Sequence, residues 1–366
     1  MISGYYGFGN CGDEAVLLAM IRSLQAVMPG ARIVVLSANP KQTKRDYGVK
    51  AANRWNPLAA ALRILTCNLF ISGGGSLLQD ATGPNSVIYY LGMIRIALLL
   101  RKKVMIYCQG IGPLSGEKGR KNVAKIFNRC RVITLRDESS AKLLAELGVQ
   151  KGMTVLCDPV MALSEKDIDP TLLSADLHKA GLPAEEHAEQ KKLLLAIIRP
   201  WGDNSHIKPV AELLDMQISR GWDVLLVPAH HSEDSEIILQ IAAMMKQPPF
   251  YLDTVLTPTR FLALTAHADT VFSMRLHGLI CAMAAGTPML ALSYNPKVDA
   301  FMQQIKMERY CLPLDGFDSK TAFRLLQNLD ALTGECLQEM NTQRTHLQTL
   351  AMEPAKIALE LAVCDA

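Results

Sequence analysis

The chain has 366 residues, enough for two domains at roughly 100–200 residues each. Hydrophobic residues make up 49% and charged residues 20%, which excludes a disordered or collagen-like chain. Nine cysteines without a CxxC pair exclude a disulfide scaffold and a zinc ribbon. The net charge of +3 conceals an asymmetry: residues 1–160 carry 21 Lys and Arg against 9 Asp and Glu, and the remainder carries 17 against 26. A basic first half points to an anionic partner, with ordinary solvated helix faces as the alternative. Its cations are scattered without interleaved aromatics, so nucleic acid is not expected.

The start, MISGYYGFGNCGDEA, is Gly-rich and lacks a basic n-region, so no signal peptide is expected. The longest apolar run, Val87–Leu100, is interrupted by Arg95 and falls short of the roughly 18 uncharged residues of a membrane span. Free cysteines without an export signal fit a reducing cytoplasm.

Short apolar runs alternate with helical patterns along the chain. Strands are expected at Ile33–Ser37, Asn68–Ser72, Val104–Gln109, Arg131–Leu135 and Thr154–Leu156. A second series follows at Leu193–Ile198, Asp223–Val227, Asp269–Ser273 and Met289–Ser293. Helices are expected at Glu14–Val27, Ser139–Leu147, Ile207–Arg220, Thr259–Ala266 and Gly334–Val363. Most of the strands are apolar on both faces, as in a parallel sheet covered by helices on both sides. Only Met1–Ser3 precede the first Gly-rich turn, so the first strand is very short or the start lies upstream. The charged stretch around Ser164–Lys192 holds no strand pattern. The fold class is therefore α/β, with two Rossmann-like doubly wound domains. The boundaries are 1–163 for the first domain, 164–191 for a linker, 192–333 for the second domain, and 334–366 for a helix packing back on the first.

In such sheets ligands bind beyond the carboxyl ends of the strands, where this sequence repeatedly places unusual residues. Gly7–Gly12 fits GxGxxG before a helix, but Asp13 and Glu14 follow at once and would repel a pyrophosphate. With Asn10 they suit a hydroxyl-rich ligand, and acidic helix capping is the alternative. Ser72–Asp80 reads SGGGSLLQD after a buried strand. Gly74 and Gly75 would let a ligand approach the backbone, with Gln79 and Asp80 as hydroxyl contacts, and tight strand–helix packing is the alternative. Gln109–Pro113 repeats the theme more weakly.

Cations occupy the other strand ends. Arg136 opens a helix, an unfavourable place for a cation unless an anion is shared, and a local pair with Asp137 or Glu138 is the alternative. Arg199 ends LLAIIRPW in the second series. His230 and His231 lack the third partner a metal needs, so no metal is expected. The sharpest constellation is Ser273-Met274-Arg275-Leu276-His277-Gly278, between a strand and an apolar helix. In an extended turn Arg275 and His277 would face one side: a fork of hydrogen-bond donors for an anion and a group exchanging protons near neutral pH. Lys297 adds a cation after the next strand.

Taken together, SGYYGFGNCGDEA, ISGGGSLLQD, QGIGPL, the RDESS arginine and FSMRLHGLICAMAAGTPMLALSYNPK resemble the polysaccharide pyruvyl transferase family, in particular its branch that pyruvylates secondary cell-wall polymers for S-layer attachment. The resemblance runs from residue 3 to about residue 305 and implies a GT-B-like fold, with the two domains facing a central cleft. It implies phosphoenolpyruvate as co-substrate with no cofactor, and a cyclic ketal formed on two hydroxyls of one sugar, O4 and O6 of N-acetylmannosamine, with release of phosphate. On it, His277 becomes the acid/base and Arg275 its catalytic partner. Arg136 with Arg275 binds the phosphate and carboxylate of the donor, and Arg199, Ser273 and Lys297 support them. Asn10, Asp13, Glu14, Gly74, Gly75, Gln79 and Asp80 orient the acceptor at the first domain. The acceptor would be polyprenyl-diphosphate-linked, and Ile88–Leu100 followed by Arg101, Lys102 and Lys103 would make peripheral contact with the inner membrane face. A buried sheet-covering helix is the alternative for that segment. Two other functions remain open: a GT-B glycosyltransferase using a sugar nucleotide, and a non-catalytic glycan- or anion-binding protein.

Overall fold

The computed structural model describes residues 1–79, 85–182, 191–332 and 334–363. The chain divides into two compact units, Met1–Ala162 with Leu347–Ala366, and Leu163–His346. Each is a parallel sheet covered by helices.

The first unit holds strands β1 (Ile2–Ser3), β2 (Val34–Ser37), β3 (Lys50–Asn53), β4 (Leu69–Ser72), β5 (Gly75–Leu78), β6 (Lys103–Ile111), β7 (Val132–Leu135) and β8 (Met153–Val155). Their order is β3-β2-β1-β4-β6-β7-β8, with β5 paired to β6. Two residues suffice for β1 because it lies centrally: Ile2 registers with Val35 on one side and Ile71 on the other. Helices α1 (Cys11–Val27), α2 (Pro40–Tyr47), α3 (Pro57–Leu65), α4 (Asn85–Leu99), α5 (Glu117–Phe127) and α6 (Glu138–Glu146) connect the strands. Strand β4 is buried along its whole length, as its unbroken apolar run requires. The apolar run of α4 buries Val87, Tyr90, Leu91, Met93, Ile94 and Ala97 in the core. It is a sheet-covering helix, the alternative reading of Ile88–Leu100, while Ile88 and Leu99 stay exposed on its other side.

The second unit begins within the expected linker. Helix α7 (Pro170–Ala180), capped by Asp169, packs against a later helix of the unit, and its buried Asp176 accepts from Arg260 Nε at 2.8 Å. This part of 164–191 is therefore folded rather than a linker; residues 183–190 lie outside the described residues. The sheet comprises β9 (Leu193–Ile197), β10 (Asp223–Leu226), β11 (Phe250–Tyr251), β12 (Thr270–Ser273), β13 (Met289–Ser293) and β14 (Cys311–Pro313), in the order β11-β10-β9-β12-β13-β14. Around it run α8 (Ile207–Ser219), α9 (His231–Met244), α10 (Pro258–His267), α11 (Leu276–Ala285), α12 (Pro296–Gln304) and α13 (Ser319–Asp330). The last helix, α14 (Gly334–Val363), ends in the first unit, where Lys103 Nζ donates to Leu361 O at 2.9 Å.

Strand order reverses at β1/β4 in the first unit and at β9/β12 in the second. Such switch points open a crevice at the carboxyl ends of the strands. The two Gly-rich segments follow β1 and β4; Arg199 and the SMRLHG segment follow β9 and β12.

Candidate functional site

In the second unit the switch point gathers charge. Ser273 ends β12, and Met274 N–H donates to Ile197 O at 2.9 Å, joining the ends of β9 and β12. Helix α11 begins at Leu276 with Arg275 as its N-cap in extended conformation. Gly278 lets this helix start close to the sheet: a Cβ there would lie 2.5 Å from Ser273 Oγ and 2.8 Å from Ile197 Cδ1. The turn is thus extended only up to Arg275, and His277 already lies within the helix. The same-side alternation expected for Arg275 and His277 does not hold.

Arg275 reaches α9. Its Nε donates to Asp234 Oδ2 at 3.2 Å, its Nη2 to Asp234 Oδ1, and the same Nη2 to Glu233 Oε2 at 2.8 Å. Asp234 is fully buried and also accepts from Ala229 N at 3.1 Å and His230 N at 2.9 Å. The carboxylates pull the guanidinium pKa up against the opposing effect of burial. The expectation of Arg275 as an open anion fork is corrected: Asp234 fills the fork. Ser273 is corrected likewise, because its buried Oγ donates to Arg275 O at 2.8 Å and accepts from Arg275 N at 3.0 Å, which ties the turn.

Glu233 is the hinge of this cluster. It lies 2.9 Å from His230 Nδ1 and 4.0 Å from Arg199 Nη2, besides its bond to Arg275. Burial pushes its pKa up, but the hydrogen bond and charge of Arg275, with His230 and Arg199, bring it below the usual carboxylate value. Arg199 is more open than Arg275. Its Nη1 donates to Tyr294 Oη at 2.9 Å, and its guanidinium lies 4.9 Å from the Tyr294 ring centre and 5.5 Å from that of Trp201. Lys297, in the first turn of α12, and His277, in the first turn of α11, are half-buried. His231 faces Asp253 at 2.8 Å. No group of metal-binding residues occurs among the described residues.

In the first unit, Asn10 caps α1 by accepting from Gly12 N at 3.0 Å. Glu14 turns inward and accepts from Gly7 N and Tyr47 Oη, each at 2.6 Å. Burial raises its pKa, and these two hydrogen bonds partly offset the rise. Asn10 and Glu14 therefore hold the Gly-rich turn, which corrects their expected role as acceptor contacts. Gly73 and Gly74 are also used in packing. A Cβ on Gly73 would overlap the Tyr6 hydroxyl, one on Gly74 would lie 2.9 Å from Val16 Cγ1, and Gly74 N–H is directed at Met20 Sδ. The expected backbone approach at Gly74 is corrected to close packing. Asp13 keeps a place beside this segment, since its Oδ1 lies 3.0 Å from where a Gly75 Cβ would be. Gln79 is half-buried past the end of β5, and Asp80 lies outside the described residues.

Arg136 is enclosed. Its Nη1 donates to Asp158 at 3.2 Å, its Nε to Asp137 at 3.3 Å and its Nη2 to Ser76 Oγ at 2.9 Å. Gly110 packs against the guanidinium, which is only 5% exposed. Donor binding by Arg136 is corrected to an internal ion pair joining β4–β5, β7 and β8.

Three groups escaped sequence reading. Glu233 and Asp234 had a signal in the HHSED run at the carboxyl end of β10, of which only the histidines were read. Tyr294 and Trp201 had none beyond aromatic type. Arg54 follows β3, a strand too short and polar to be seen. It is buried, donates to Gly4 O at 2.9 Å, and has the rings of Phe8, Trp55, Tyr89 and Tyr90 within 4.3 to 5.5 Å of its guanidinium carbon.

Solved structures share the fold. A glycosyltransferase from Rickettsia africae superposes with a TM-score of 0.64 at 11% identity, covering 100% of this chain and 98% of that one. Anabaena HepE, solved with UDP and glucose, gives 0.62 at 13% identity, covering 98% and 97%. MnaA of S. aureus, solved with UDP, gives 0.65 at 10%, covering 98% and 95%. These likenesses define a GT-B-like fold of two parallel-sheet α/β domains. The sequence is more specific: residues 10–296 match the polysaccharide pyruvyl transferase model, and the chain belongs to that family. A curated relative, the amylovoran biosynthesis protein AmsJ of Erwinia amylovora, is 21% identical over 83% of this chain and 85% of its own length.

Proposed function

We propose that the protein transfers the pyruvyl group of phosphoenolpyruvate onto two hydroxyls of one sugar in a lipid-linked glycan. The observation that carries this reading is the gathering of Arg199 and Arg275 around Glu233 at the β9/β12 switch point, where α11 opens with His277 in its first turn. Family membership supplies the reaction class. The co-substrate is a small trianion, and guanidinium and ammonium groups stabilise it and the departing phosphate.

In this reading Arg199 and Lys297 hold the donor, and Arg275, paired with Asp234 and Glu233, positions the turn from which α11 starts. His277 exchanges the proton. The methylene carbon gains one proton and becomes a methyl group, leaving an oxocarbenium-like C2. The C2–O bond to phosphate breaks, and two C–O bonds form to the sugar. One hydroxyl proton balances the methyl group, and the other leaves with phosphate. Asp13 and Gln79 orient the acceptor on the first unit. N-acetylmannosamine of a secondary cell-wall polymer, carried by a polyprenyl diphosphate in the cytoplasm, is the first acceptor to assay.

Phosphate release from phosphoenolpyruvate, measured with and without that acceptor, tests the proposal. Acceptor-dependent release supports it, and stabilisation by UDP with no release would favour a sugar-nucleotide enzyme instead.

A further inference from the structure

Beyond its switch points, the first unit presents an apolar face that its core does not use. On α3, Leu58, Leu62 and Leu65 are 70%, 55% and 52% exposed, at spacings of four and three residues that form one stripe. The buried side of the same helix is Ala60 and Ile64. On α4, Ile88 and Leu99 are 67% and 65% exposed. The helices pack together, and Trp55, 64% exposed just before α3, lies 6.1 Å ring to ring from Tyr89 on α4. The α3 stripe, with Trp55 before it and Ile88 and Leu99 on the neighbouring helix, exceeds the scattered single apolar residues of an ordinary surface.

The charge around this face is one-sided. From residue 50 to 103 the chain carries seven Lys and Arg and a single acid, Asp80. Exposed Arg63 flanks the α3 stripe, Arg95 lies between Ile88 and Leu99 on α4, and exposed Arg101 follows that helix. Exposed leucines and a tryptophan accompanied by exposed Arg63, Arg95 and Arg101 match a bilayer interface whose headgroups are anionic. A second copy of the chain docked here about a twofold axis would set these arginines against their own like charges. No helix of the described residues is long and apolar enough to cross a membrane, so the contact is a surface one.

We infer that the α3–α4 face docks the protein on an anionic lipid surface. Purified full-length chain is floated with phosphatidylcholine vesicles and with vesicles containing about a third phosphatidylglycerol. The wild type is expected to float only with the anionic vesicles, and to be released by raised salt. Leu58→Glu with Leu62→Glu should weaken flotation at least about tenfold. Arg63→Glu with Arg95→Glu should do the same without touching the apolar stripe, and Leu239→Glu, an exposed leucine on α9, should change nothing. Unaltered circular dichroism spectra show that the variants fold. Wild-type chain that stays unbound, binds neutral vesicles equally, or floats regardless of both variant pairs overturns the inference. So does a wild-type dimer that either pair converts to monomer. Flotation requires no turnover, so a chain that floats yet releases no phosphate leaves this docking intact and removes only the proposed reaction.

Discussion

Removal of the Asp234 carboxylate offers the sharpest test of how the candidate site is built. Asp234 is fully buried, grips Arg275 through both oxygens, and accepts two backbone N–H groups at the opening of α9. In Asp234→Ala the guanidinium, 12% exposed, keeps only Glu233, and Ala229 N and His230 N lose their acceptor. Breaking a buried pair from one side costs about 3–5 kcal/mol, because it strands the other charge. At roughly 2–4 °C per kcal/mol for a unit of this size, that corresponds to a melting temperature lower by about 10 °C. Differential scanning calorimetry reads it directly. Arg275→Met should also destabilise the unit, since it strands Asp234. The double variant should lose less than the sum of the two losses, with a coupling of about 1–3 kcal/mol. A shift under about 2 °C in Asp234→Ala, or strictly additive losses, would refute the picture of an internally filled fork.

Other outcomes follow from the same geometry. Glu233 is like-charged to the donor and faces Arg199 and Arg275, so Glu233→Gln should tighten phosphoenolpyruvate binding by about threefold to tenfold, measured by calorimetric titration; weaker binding would contradict its place against those arginines. The depressed pKa of Glu233 means that its charged form is favoured by folding, so its contribution is present above the unfolded carboxylate value and lost as pH falls through the folded one; melting curves of wild type and Glu233→Gln should therefore converge in strong acid. Glu14 has the opposite sign: its raised pKa favours the protonated form in the fold, so wild type should lose stability relative to Glu14→Gln as pH rises from the ordinary carboxylate value through the raised one. Arg54→Met removes four ring contacts and a bond to Gly4 O, and should destabilise the first unit by about 2–4 kcal/mol in urea denaturation.

Much of the architecture was legible because parallel strands buried on both faces are written as unbroken apolar runs. Met289–Ser293 coincides with β13, and the remaining expected strands differ from the observed ones only at their ends. The strands that escaped are short or polar: β3 is KAAN, β5 is GSLL within a Gly-rich turn, β11 is two residues, and β14 ends in proline. They pair because their neighbours supply the register, which no local pattern encodes. The site was half legible for the same reason. Strand ends marked Arg199, Arg275 and His277, since chemistry in such sheets gathers there. What each arginine touches was not legible: Asp234 lies 41 residues from Arg275, and Asp158 lies 22 from Arg136. Sequence proximity offered Asp137 or Glu138 to Arg136, and of these the fold uses Asp137, adding Asp158 from beyond β8. The three consecutive glycines looked like a ligand cradle, yet Tyr6 and Val16, brought in by the first turn and α1, fill the space at Gly73 and Gly74, and only Asp13 stands beside Gly75. The SMRLHG turn misled in one respect, because α11 starts two residues earlier than an extended reading allows.

The central claim, pyruvyl transfer at the second unit's switch point, is tested most directly by proton NMR of a lipid-linked N-acetylmannosamine acceptor incubated with phosphoenolpyruvate. A ketal methyl singlet should grow in step with released phosphate for wild type and fall by about a hundredfold or more in His277→Ala, as for loss of an acid/base group. Full ketal formation by His277→Ala, or phosphate release without any new methyl signal, would contradict it.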